Sequence, residues 1–236
     1  GWLPVFSLDT IAELEPMLRD RIVQTHIRAG VRVLDPRAVY IDPRVTIGRG
    51  TMLLPGTILR GETVIGRNCE IGPNTMIRDC TVGDNVTVNA SQLNESTVDD
   101  GVKIGPFAYI RPNCHVGENV KVGDFVELKN STIGAGTKIS HLTYVGDSDV
   151  GERVNFGCGT VTVNYDGFTK FRTTIGDDAF IGCNTNLVAP VKVGDGAYTA
   201  AGSTITDDVP GDSLAIARTR QTVKKQWAAK RRARRK

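Results

Sequence analysis

The chain has 236 residues, 29 Lys and Arg against 26 Asp and Glu, and a formal charge of +3. Eight of the basic residues and no acidic one fall in 224–236, leaving 21 basic against 26 acidic side chains on the other 223 residues. A mildly acidic body with a basic tail argues against a protein that binds nucleic acid over its whole surface, and 6% aromatics argue against a core rich in Phe and Trp.

The 26 glycines are about 11% of the chain, above the usual ~7%. The cysteines (Cys69, Cys80, Cys114, Cys158, Cys183) are odd in number and widely spaced, with no CxxC pair. Zinc and redox motifs are therefore unsupported, and a reducing, cytoplasmic compartment fits best. No apolar run approaches the ~18 residues of a membrane helix, so no membrane partner is expected. The start, GWLPVFSLDT, lacks the basic and apolar segments of a signal peptide.

Residues 1–30 read as linker helices. Thr10 and Glu13 have capping-box spacing, and Pro16 should interrupt a single helix. A second helix with Pro16 at its first position, ending near Gly30, accounts for both.

A repeat begins at 31 and runs to 212. Aliphatic residues recur every six positions, with occasional fives: Ile47, Leu53, Leu59, Ile65, Ile71, Ile77, then Val82 to Val150 and on to Phe156 and Thr162. The series resumes at Ile175, Ile181, Leu187 and Val193. Gly often follows the aliphatic position (Gly48, Gly66, Gly123, Gly182), and a small or β-branched residue (Thr63, Cys69, Thr75, Thr81, Thr137) lies near it. A period of six fits neither a helical face nor simple strand alternation. It fits a parallel β-helix with three short strands per coil and a turn at each corner, aliphatics stacking in ladders along a narrow prism. The fold class is therefore all-β. The hexads fail once, at 164–173 (NYDGFTKFRT), where a loop leaves the prism; such loops are where function concentrates. Residues 213–236 leave the repeat as a basic, partly helical arm.

Register supplies a candidate site. Ile110 and Leu128 share a face on successive coils, so Arg111 and Lys129 stack outward one coil apart. Two cations at strand spacing repel, and a phosphate between them would relieve this. His141 falls at the corner turning into that face, Tyr144 begins its next strand, and Cys158 and Asn155 lie one coil beyond. His26 and His115 have no such company.

The stretches GPFAYIRP (105–112), VGDFVELKNSTIGAGTKISHLTYVGDSDVG (122–151) and VNFGCGTVTVNYDGFTKFRTTIGDDAFIG (154–182) are more specific than the period alone. With NLVAPVKVGDGAYTAAGSTITDDV (186–209) and AIARTRQ (215–221), they resemble one family. It is the bifunctional N-acetylglucosamine-1-phosphate uridylyltransferase/glucosamine-1-phosphate N-acetyltransferase, and the similarity covers its acetyltransferase half. The resemblance implies a left-handed β-helix, packed as homotrimers with sites between neighbouring prisms. It implies that Arg111, Lys129, Tyr144, Asn155 and Lys170 hold glucosamine 1-phosphate and that His141 is the general base. Acetyl-CoA, the cosubstrate, would be held by Asn164, Tyr165, Cys158, Cys183, Ala201 and Arg218. Cys158 and Cys183 depart from the family's usual Ala and Ser. Nothing resembles the family's nucleotide-binding loop, which together with the Gly1 start predicts a shortened chain that does not make UDP-N-acetylglucosamine.

Other readings make different demands. A zinc-dependent carbonic-anhydrase-like β-helix needs three His, and only His115 and His141 lie in the repeat. An acyltransferase with another acceptor would share the prism without the NYDG loop and HLTY run. A non-catalytic scaffold or ice-binding prism would show flat outward Thr rows rather than mixed charges. An RNA-docking tail would lose binding steeply with salt.

Overall fold

The computed structural model describes residues 7–234. Leu8–Arg28 forms helix α1, capped by the Ser7 hydroxyl, which accepts from the Thr10 amide. Pro16 lies inside this single helix rather than opening a second one. Its ring sits on an exposed face, so the lost amide donor leaves no buried carbonyl to satisfy. The cap is thus Ser7, and the Thr10–Glu13 box goes unused.

From Arg32 onward every strand is parallel, in three sheets of eleven, ten and nine strands that form the faces of a prism. Strand three, six or nine places on lies in the same sheet, so the chain turns one corner after each hexad and closes a coil every three strands. The first face runs from Arg32–Val33 to Leu214–Ala215, the second from Tyr40–Ile41 to Thr204–Ile205, and the third from Thr46–Ile47 to Val191–Val193. This is a left-handed parallel β-helix of hexapeptide repeats. The arm starts later than position 213, because Leu214–Ala215 still pairs with Tyr198–Thr199. Beyond it lies a short helix α2, Trp227–Ala233. Among the described residues no helix is long and apolar enough to cross a membrane.

The aliphatic series points inward: Leu53, Leu59, Ile71, Ile77, Leu93, Ile110, Leu128, Ile139 and Leu187 are fully buried. At about 25 cal/mol per Å² of apolar area, these stacked ladders supply most of the cohesion. The residue two places before each is buried too, and where it is Thr or Ser its hydroxyl closes a corner. The Thr51 hydroxyl donates to the Gly66 carbonyl at 2.8 Å and accepts from the Cys69 amide at 3.0 Å. Thr137 makes the same bridge to Gly151 and Val154. In the five-residue step it is Cys80, not Thr81, that takes this inward place. Cys69, Cys80 and Cys114 are core residues of this kind, and burial pushes the Cys80 thiol up to about 11.

Corners demand a left-handed backbone, which Asn and Asp tolerate better than most residues. Asn68, Asn85, Asn119, Asn130, Asp147 and Asn184 all have positive φ. Gly123 is needed for a different reason, since a Cβ there would sit 2.0 Å from the Ser140 carbonyl oxygen of the next coil.

Candidate active site

Ile110 and Leu128 are paired on the second face, as are Leu128 and Val145, so Arg111 and Lys129 do stack one coil apart. They are not bare cations facing each other. Arg111 Nη1 donates to Glu127 Oε1 at 2.8 Å, and Lys129 Nζ donates to Asp147 Oδ2 at 3.3 Å. Sequence reasoning placed the unrelieved repulsion in the wrong pair. It falls between Lys129 and Lys170, which the ejected loop brings alongside. Lys129 beside it pushes the Lys170 ammonium below its ordinary value. Arg111, Lys129, Asn130, Asp147 and Lys170 line one open cavity of about 370 Å³.

Asp147 was absent from the sequence-based set, yet it organises this cavity. Its side chain is only 7% exposed. Its Oδ1 accepts from Asn130 Nδ2 at 2.5 Å, and its Oδ2 also accepts from Asn164 Nδ2. Burial works to raise this carboxyl, but the bonds from Asn130, Asn164 and Lys129 together hold it below the usual carboxylate range.

Asn164 Nδ2 also lies 3.3 Å from the Tyr144 hydroxyl. The Tyr144 ring folds across Gly146, where a Cβ would come within 2.3 Å of the phenol oxygen. Tyr144 is paired with Glu127, so the two form a row between the His141 corner and the Arg111–Lys129 row.

His141 ends the strand Lys138–His141 and pairs directly with Asp124. The Asp124 carboxylate lies 2.6 Å from His141 Nδ1 and is held below its ordinary value by that bond. With Nδ1–H donating to Asp124, Nε2 keeps its lone pair and faces outward from a half-exposed ring. His115 Nε2 lies 2.8 Å from Asp99 Oδ2 on the third face, not beside the stacked cations of the second. His26 sits in α1, where burial pushes it down.

Four of the positions assigned to acetyl-CoA, Cys158, Cys183, Ala201 and Arg218, fall on a line that starts at His141. Ile139, Phe156, Ile181 and Thr199 are successive partners on the first face. Two residues after each stand His141, Cys158, Cys183 and Ala201, at equivalent corner positions. Arg218 continues the line, its Cδ 3.7 Å from where a Cβ on Gly202 would lie. Cys158 is half-buried and Cys183 exposed, so both thiols differ from the three in the core.

Asn155 does not join the cluster. It opens the strand Asn155–Phe156, paired with Lys138 and Phe180, three residues away from the corner. Three strand residues span about 10 Å, and Asn155 makes no side-chain bond to Arg111, Lys129 or Tyr144.

The ejected loop is ordered by its own contacts. Tyr165 and Lys170 form an antiparallel bridge, and the Phe171 amide donates to the Asn164 carbonyl at 2.9 Å. Asp166 caps the tip by accepting from the Phe168 and Thr169 amides. Thr173, placed in the loop by the sequence, is fully buried in the next strand, so the excursion ends at Arg172. Arg172 pins its base, donating to Asp149 and to the carbonyls of Asn130 and Ser148. Among the described residues no three of His, Cys, Asp or Glu gather as a metal site.

The family model for bacterial transferase hexapeptide (six repeats) matches residues 44–79, 62–91 and 172–207, and that for the GMPPB C-terminal domain matches 92–165. The bifunctional protein GlmU of Clostridium kluyveri is 54% identical over 220 residues, covering 93% of this chain and 48% of that protein. GlmU of Geobacillus sp. WCH70 is 53% identical over 217 residues, covering 92% and 47%. The chain thus spans about half the length of the curated relatives it matches. A solved UDP-N-acetylglucosamine acyltransferase from Arabidopsis shares the fold at a TM-score of 0.54 and 15% identity, over 80% of this chain and 70% of that one. With this identity spread over nearly its whole length, the chain belongs to the GlmU family as its C-terminal, hexapeptide-repeat half.

Proposed function

We propose that the protein transfers the acetyl group of acetyl-CoA to the amine of glucosamine 1-phosphate, giving N-acetylglucosamine 1-phosphate for cell-wall precursor synthesis. One observation carries this reading: a carboxylate-oriented imidazole stands at the junction of a cationic cavity and a line of corner positions fit for an extended cofactor.

The sugar phosphate lies along the second face. Its phosphate enters between Lys170, Lys129 and Arg111, where it relieves the Lys129–Lys170 repulsion and competes with Glu127 for Arg111. The ring crosses the Glu127–Tyr144 row, which turns the amine towards the His141 corner. Acetyl-CoA runs along Cys158, Cys183 and Ala201 towards Arg218, with Asn164 and Tyr165 of the loop over it. The cationic Arg218 suits a phosphate group of the cofactor.

An amine of this kind titrates near 7.7–8.0 by analogy with α-amino groups, so much of it is protonated at pH 7. His141 Nε2 takes a proton from it as the nitrogen attacks the acetyl carbonyl, and Asp124 steadies the imidazolium that forms. The C–S bond then breaks, and the imidazolium returns its proton to the departing sulfur, so that CoA leaves as the thiol and His141 is neutral again. General-base assistance is typically worth about 10²–10⁴-fold, and fixing both reactants on one rigid prism adds a larger positioning effect.

Asn155 stands apart from the clamp within one chain, as a site shared between prisms of a homotrimer requires. Mass spectrometry of the sugar product after incubation with both substrates tests the reading. A singly N-acetylated glucosamine 1-phosphate supports it, and recovery of unmodified sugar phosphate would refute it.

A further inference from the structure

Asp147 touches both halves of the site. Its backbone turns the corner from the second face to the third, the amide donating to the Lys129 carbonyl at 2.9 Å and the carbonyl accepting from the Thr173 amide at 3.1 Å. The residue therefore sits where the chain leaves the clamp and where it returns from the ejected loop. Its φ of +49 turns the side chain back under the cavity rather than out into solvent.

A buried carboxylate is costly unless every lone pair finds a donor. Here the donors are divided between the two halves. Lys129 and Asn130 belong to the coil that forms the phosphate cavity. Asn164 is the first residue of the loop, and the Tyr165–Lys170 bridge makes the loop a hairpin whose placement follows that of its neck. Fixing Asn164 therefore fixes Tyr165, proposed to lie against the cofactor, and Lys170, proposed to meet the phosphate. Arg172 pins the other end of the hairpin to the same coil through the Asn130 carbonyl.

We propose that Asp147 is a positioning residue that sets the acceptor clamp and the cofactor loop by one shared carboxylate, so that a ligand held on either side stiffens the other. The identity of the two ligands rests on the function proposed above; the joint itself does not.

Asp147→Asn separates this role from plain electrostatics. Removing a negative charge beside Arg111, Lys129 and Lys170 should, on charge alone, tighten phosphate binding. Loss of positioning does the reverse. The account expects D147N to remain folded by circular dichroism and to exchange the Phe168 and Thr169 amides about tenfold faster than wild type without ligand. It expects inorganic phosphate to bind more weakly and the KM for glucosamine 1-phosphate to rise about 10–100-fold, as loss of a hydrogen bond to a charged group would give. Acetyl-CoA should slow loop exchange less in D147N than in the wild type. Unchanged loop exchange, or tighter phosphate binding, would overturn the proposal. If D147N does not fold, Asn164→Ala cuts only the loop side of the joint and leaves Lys129 paired; it must also speed loop exchange and weaken phosphate binding, and failure in either sinks the idea. Exchange and phosphate binding judge the joint even if the wild type does not acetylate glucosamine 1-phosphate.

Discussion

Asp124 and His141 are directly paired residues on adjacent coils, with Asp124 Oδ1 2.6 Å from His141 Nδ1. The pairing follows from the hexads: each residue falls two places beyond an inward aliphatic, Val122 and Ile139, so the prism delivers both side chains to one corner. With Nδ1–H donating to that carboxylate, Nε2 is the nitrogen that would meet the amine in the proposed reaction.

His141→Ala should keep the fold, since the ring is exposed, and should lower kcat by at least about tenfold and as much as 10²–10⁴-fold. Asp124→Asn should lower kcat by as much as about 10⁴-fold with little change in either KM, because it alters the ring's tautomer and imidazolium stabilisation rather than binding. Steady-state kinetics check both. Near-normal turnover in His141→Ala would remove that residue from the mechanism.

Arg111→Ala should act on the acceptor alone. Removing one charged donor to a phosphate costs about 1.5–3 kcal/mol, so the KM for glucosamine 1-phosphate should rise roughly 10–100-fold while that for acetyl-CoA stays put. An unchanged acceptor KM would contradict the clamp.

Acid should loosen the loop before it unfolds the prism. The Asp147 carboxyl is held below its usual range by its three donors despite burial. A carboxyl depressed in the folded state contributes stability above its unfolded value of about 3.9, and that stability is lost as pH falls through the lower folded value. The gap in Tm between wild type and D147N should therefore be constant near neutrality and narrow below about pH 4. Thermal melts from pH 7 to pH 3 measure it.

Leu128→Ala should cost about 2–5 kcal/mol, because the side chain is fully buried in a ladder and leaves a cavity. Gly123→Ala should be damaging through the backbone, its Cβ colliding with Ser140 one residue before His141. Both variants should lower Tm, but Gly123→Ala should lose more activity per degree lost, since it displaces the corner that carries His141.

The hexads made the prism legible because an inward aliphatic every sixth residue leaves little freedom in where the chain turns. They also placed Arg111 on Lys129 and His141 at its corner. What stayed hidden were partners one coil away, because the coil step varies. Asp124 pairs with His141 seventeen residues on, while Phe156 pairs with Ile181 twenty-five on, across the ejected loop. Applying the register to acidic residues as well as cations would have found Asp124, since Val122 and Ile139 already share a ladder. Glu127 and Asp147 sit close to stacked cations by the same count. Asn155 lies three extended residues from the corner, out of reach of Arg111 and Lys129 within one chain, which nearness in sequence does not reveal. Pro16 misled for the opposite reason: an exposed proline leaves a helix intact when no buried carbonyl depends on its missing donor.

The central claim is the acceptor. Free-thiol release from acetyl-CoA should be measured with glucosamine 1-phosphate, glucosamine 6-phosphate, serine and no acceptor. The account predicts release with glucosamine 1-phosphate alone, slowed at least about tenfold in His141→Ala. Release with another acceptor but not with glucosamine 1-phosphate would contradict it.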